Sequence, residues 1–166
     1  MVFVRIGLDR LDGLERLDRW VGLNGWAGLN GSEGGKAMTI KCFEDLECWQ
    51  EARKLVKMIY TAINSNREFQ KDFRLVDQYT AAGVSVMNNT AEGWASQSNP
   101  EFVRFLRYSR RSGAEVQNCS YVALDQKYIS KTTFQEIYDQ ALKTIKIIDG
   151  LIRYLRSSIS KNKERP

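Results

Sequence analysis

AAGVSVMNNTAEGWASQSNPEFVRFL, residues Ala81 to Leu106, decides the fold. It reads as the end of one helix, a polar break at Ser96-Gln97-Ser98-Asn99, and the start of another. Pro100 supplies a fixed φ at a first helical position, and Ser98 three residues before Glu101 fits a capping box. Upstream, Ala81, Ala82, Gly83 and Ser85 are small enough to admit a second backbone at close range. A corner of this kind, between two amphipathic stretches, predicts helix packed on helix.

Working outward, three further stretches carry the same helical spacing. Before the corner, about residues 44–64 align Trp49, Ala52, Val56, Ile59, Tyr60 and Ile63, with Glu47, Glu51, Arg53, Lys54 and Lys57 largely off that face. About residues 71–96 align Val76, Tyr79, Gly83, Val86, Met87, Thr90 and Trp94. After the break, residues 100 to about 127 align Phe102, Phe105, Leu106, Ser109, Gly113, Val116, Ser120 and Leu124. A last stretch, about residues 133–158, aligns Phe134, Ile137, Tyr138, Ala141, Ile145, Ile148, Ile152 and Leu155, and Thr133 with Glu136 makes a second possible capping box. Four such helices with short joints predict an all-α, up-down-up-down four-helix bundle over residues 38–158, followed by a frayed polar tail, 159–166. Ile147, Leu151 and Tyr154 form a second apolar strip on the last helix, which predicts a contact between subunits.

Residues 1–37 do not match this pattern. Leu8, Leu11, Leu14, Leu17, Trp20, Leu23, Trp26 and Leu29 recur every third position, and glycine recurs at 22, 25, 28, 31, 34 and 35. A period of three drifts by about 60° per repeat around an α-helix and makes no stable stripe. Three readings stay open: a nine-nucleotide repeat translated in frame with Met38 as the true start, a flexible arm, or a Leu/Trp segment that folds on a partner.

Composition narrows the function. The chain has 166 residues, 27% charged and 43% hydrophobic, which suits a soluble domain with its own core. No apolar run is long enough for a bilayer, and Arg5, Asp9 and Arg10 interrupt the start, so a cytoplasmic protein with no membrane partner is expected. There is no histidine, and Cys42, Cys48 and Cys119 show no metal-ligand spacing. No metal, cofactor or catalytic residue is expected, Glu92 being the lone carboxylate considered. The net charge is +5, and residues 1–37 carry five basic and five acidic groups, so the excess lies in the folded body. That favours a polyanionic partner.

Phe43-Glu44-Asp45-Leu46, Trp49-Gln50 and Ile59-Tyr60, then Gln78 with Ala81, Ala82, Val84 and Ser85, then Asn89-Thr90-Ala91-Glu92-Gly93, then Phe102, Phe105-Leu106, Ser112 and Glu115, then Tyr128-Ile129-Ser130 and Gly150-Leu151-Ile152, stand in one order. Together, over about residues 42–155, they resemble the proteins encoded in intervening sequences of bacterial 23S ribosomal RNA genes. Two places depart from that family's pattern. Thr90 stands where isoleucine is usual, and Arg110-Arg111-Ser112-Gly113 inverts the usual Gly-Ser order.

The resemblance implies a non-enzymatic four-helix bundle, with Asn89, Glu92, Gly93, Ser112 and Glu115 as structural motif positions, and assembly into pentameric rings. A related branch, the accessory protein of diversity-generating retroelements, implies nucleic acid and a reverse transcriptase as partners. Arg104, Arg107, Arg110 and Arg111 on the third helix, with Lys143, Lys146 and Arg153 on the fourth, are the candidate contacts to RNA or DNA phosphates. The alternative is a module that binds a polypeptide such as a polymerase.

Overall fold

The computed structural model describes residues 40–163, with side chains to residue 161. The readings made for residues 1–37 lie outside the described residues. A 3-10 turn at Phe43–Asp45 leads into α1 (Glu47–Asn64), α2 (Arg67–Lys71), α3 (Phe73–Ala95), α4 (Asn99–Asp125) and α5 (Lys131–Lys163). Four of the helices are long, and α1 packs on α3, α3 on α4, α4 on α5, and α5 back on α1.

The core falls into two clusters at opposite ends of the bundle. One joins Ile40, Leu46, Cys48 and Ala52 to Val86, Phe102, Leu106, Ile148 and Leu155. The other joins Leu55, Ile59 and Ile63 to Leu75, Tyr79, Val116, Ala123, Ile129 and Ile137. Along the chain α1 runs from the first cluster to the second, α3 returns, α4 runs out again and α5 returns. That alternation is the expected up-down-up-down bundle. Ile40 is buried in the first cluster, so the core begins before the first helix.

Local chemistry sets the helix ends. α1 ends on Ser65, and Asn66 starts α2, its side-chain oxygen accepting from the backbone of Glu68 and Phe69. Asp72 does the same for α3, accepting from Leu75 N. The two anticipated capping boxes are not made. Ser98 makes no side-chain cap, and Glu101 instead reaches Arg104 at 2.6 Å. At α5 the capping hydroxyl is Ser130, which accepts from Thr133 N at 3.0 Å. The expected frayed tail is corrected as well. Residues 159–163 continue α5, and Ile159, four residues beyond Leu155, packs against the first cluster and extends the stripe by a turn.

The proposed subunit strip is also corrected. Ile147 is 8% exposed and Leu151 2%, and both belong to the first cluster, with half-buried Tyr154 packed against it. The reason is geometric: α5 touches α1 on one flank and α4 on the other, so its buried face must be wide enough for both. The two apolar strips are halves of one face.

Burial pushes the Cys48 thiol up to about 12 and raises that of Cys119. Both cysteines pack as small apolar side chains.

Candidate functional site

The α3–α4 seam is built from small and hydroxyl side chains. Thr90 is fully buried and lies 3.1 Å from Ser109, and each hydroxyl donates to the Val86 carbonyl. Ser112 donates to Ser85 Oγ at 3.0 Å, and Asn89 Nδ2 donates to both the carbonyl and the hydroxyl of Ser85. Tyr79 and Ser120 meet at 2.7 Å. The bonds of Thr90, Ser109, Tyr79 and Ser120 satisfy buried polar groups, and those of Ser85, Asn89 and Ser112 lie part-buried beside them. They also give Thr90 a role, since its hydroxyl and that of Ser109 share the Val86 carbonyl. The Ser-Gly order at 112 and 113 follows from the neighbours: Ser112 faces Ser85 of α3, whereas Gly113 faces Ile145 of α5.

The cations expected to bind phosphates divide into two sets. Three are already engaged: Arg104 with Glu101 at 2.6 Å, Arg110 with Asp149 at 3.0 Å, and Lys143 with Glu51 at 3.0 Å. Arg107, Arg111, Lys146 and Arg153 are exposed, and no carboxylate among the described residues lies within ion-pair distance of them. Arg111 sits 5.7 Å over the Tyr108 ring, which holds its guanidinium out on the surface.

The register of α4 against α5 brings part of this set together. Arg110 pairs with Asp149, Gly113 abuts Ile145, and Tyr121 meets Tyr138 with ring centroids 5.8 Å apart. In such an antiparallel pair Arg107 comes level with Arg153, and Lys146 lies one turn of α5 from Asp149. Arg107, the Arg110–Asp149 pair, Lys146 and Arg153 therefore share the outer side of α4 and α5. Arg104 and Arg111 lie farther round α4, and Lys143 turns toward α1.

The model of the family 23S rRNA-intervening sequence protein matches residues 44–150. The chain belongs to that family. No curated protein sequence matches it. A solved structure from Bacteroides thetaiotaomicron, a protein of unknown function from the S23 ribosomal protein family, is similar in fold. It superposes with a TM-score of 0.58 at 19% identity, covering 64% of this chain and 95% of that one.

The motif positions of this intervening-sequence protein separate by burial. Asn89, Gly93 and Ser112 work inside the α3–α4 seam, whereas Glu92 and Glu115 are exposed. Among the described residues no group of histidine, cysteine, aspartate or glutamate could hold a metal ion, and no helix is long and apolar enough to cross a membrane.

One polar site escaped the sequence reading. Glu51, assigned to the solvated side of the first helix, is buried between α1 and α5. It accepts from Lys54 at 2.6 Å, from Gln140 at 2.8 Å and from Lys143 at 3.0 Å. Desolvation raises its carboxyl, but the donors Gln140, Lys54 and Lys143 outweigh that and hold it at about 2. A carboxylate depressed below its ordinary 4.5 stabilises the fold above that pH and loses its contribution as pH falls toward 2. Glu47 works the other way, raised by partial burial and by the Glu51 charge. Glu51→Gln should therefore lower stability by about 2 kcal/mol at pH 7, and the gap to wild type should close by pH 2 in urea titrations. A gap independent of pH would contradict this role.

Proposed function

We propose that the protein is a non-enzymatic, homo-oligomeric scaffold that holds nucleic-acid phosphates on its α4/α5 side without strong sequence preference. The observation that carries this reading is the set of exposed cations without carboxylate partners, Arg107, Lys146 and Arg153, aligned along two antiparallel helices. Point charges on a helix face attract phosphate wherever it lies and read no base edges, so binding is largely independent of sequence. Assembly, five-fold by family resemblance, repeats the stripe by symmetry and multiplies a weak contact. The subunit contact excludes Ile147 and Leu151, which the monomer core already uses.

The test is fluorescence anisotropy of a labelled RNA across a salt series. Affinity should fall linearly with salt on logarithmic axes. The triple variant Arg107→Gln/Lys146→Gln/Arg153→Gln should flatten the slope by about 2, at roughly 0.7 per phosphate on a single strand. No binding, or binding to a polypeptide that salt does not weaken, would overturn the reading in favour of a protein-interaction module. Light-scattering mass, with and without RNA, tests the oligomer.

A further inference from the structure

We infer that the α4/α5 side takes single-stranded nucleic acid, with bases stacking on an aromatic platform at one end while phosphates follow the cations toward the other. The inference rests on the nucleic-acid reading above and specifies its ligand. Tyr121 of α4 and Phe134 and Tyr138 of α5 form a triangle of rings with centroids 4.8, 5.8 and 5.6 Å apart. Tyr121 is 51% exposed, and Leu142, on the same edge of α5, is 36% exposed. The rings meet tilted or edge-on, and Phe134 and Tyr138 are half-buried, so they brace Tyr121 and leave much of its surface open to water.

Charge continuity selects the occupant. Lys146 is eight residues along α5 from Tyr138, about 12 Å at helical rise, which is the span of three or four stacked nucleotides at about 3.4 Å each. Arg153 and Arg107 continue the same line; of the acids beside it, Asp149 is neutralised by Arg110, and exposed Asp139, two turns before Lys146, accepts from Gln135. An aromatic platform that leads into a cationic track is how proteins hold unpaired strands, because every unpaired base has a free π-face. A duplex buries those faces and can use only the cations.

The experiment compares a labelled 12-nucleotide RNA with its 12-base-pair duplex, binding to the full chain. Tyr121→Ala should weaken single-strand binding about tenfold and change duplex binding less than twofold, whereas Tyr121→Phe should behave as wild type. Melting temperature confirms that the variants fold. Equal effects on both probes, or none on either, would overturn the inference. So would a fall in light-scattering mass on Tyr121→Ala, which would make the platform a contact between copies. If the triple cation variant weakens binding while Tyr121→Ala does not, only the stacking platform fails. If the cation variant changes nothing, the nucleic-acid reading fails with it.

Discussion

Leu151→Glu should unfold the protein, not merely dissociate an assembly. Leu151 is 2% exposed and sits in the cluster formed with Ile40, Leu46, Ile147 and Leu155. A carboxylate placed there loses its hydration and has no partner supplied for it, and the apolar contacts of the leucine vanish as well. The expected loss exceeds about 4 kcal/mol, a large share of the stability of a domain this size. Tyr154→Glu, one turn away at a half-buried position, should cost far less. Far-ultraviolet circular dichroism and urea midpoints separate the two outcomes. A helical Leu151→Glu protein of reduced mass would restore the subunit-contact reading that the core geometry displaces.

The second large effect lies at the corner between α3 and α4. A Cβ added to Gly93 would lie 2.5 Å from Phe102 Cδ2 and 2.9 Å from Phe105 Cβ. Phe102 is fully buried and Phe105 Cβ is next to backbone, so neither yields cheaply. Gly93→Ala should therefore destabilise by about 2 kcal/mol, although alanine in a helix is intrinsically better than glycine by about 1 kcal/mol. Phe102→Ala alone should cost about 3–5 kcal/mol. The double variant should lose at least about 1 kcal/mol less than the sum, because truncating Phe102 clears the space that the new methyl needs. Additive losses in urea titrations would show that the ring and the glycine do not compete for one volume.

The sequence makes the four long helices and their order readable because four amphipathic stretches and their polar joints are strong local signals. The corner at Ser96–Asn99 and the faces of α3 and α4 follow directly, with Tyr79, Gly83, Val86, Leu106, Ser109 and Val116 all inward. On α1 the expected stripe is offset from the buried face by roughly 70°, at about 100° per residue. Trp49 and Tyr60 draw the expected stripe toward themselves; its Ala52, Ile59 and Ile63 are buried, and the rest of the buried face is Cys48, Glu51, Leu55 and Ala62. Glu51 is not legible for the same reason: a charge on a helix is ordinarily solvated, and its partners Gln140 and Lys143 are about ninety residues away in sequence. The short α2 is hidden because its five residues, Arg67–Lys71, are too few to show a helical stripe. Among the candidate phosphate contacts, sequence could place Arg107 and Lys146 on outward faces. It could not tell that Arg110 and Lys143 are already paired, since an ion pair between helices depends on register.

The hydroxyl seam between α3 and α4 has a consequence for how the bundle finds one alignment. Greasy surfaces are tolerant partners, and two such rods can shift by a turn with little loss. Here the links of Ser85 with Ser112, Ser109 with the Val86 carbonyl and Tyr79 with Ser120 act as directional latches spaced along the rods. A slip by one turn would break them together and leave the buried Tyr79, Ser109 and Ser120 oxygens without partners. The polar seam thus sets the alignment, and the apolar side chains of the two clusters supply the cohesion.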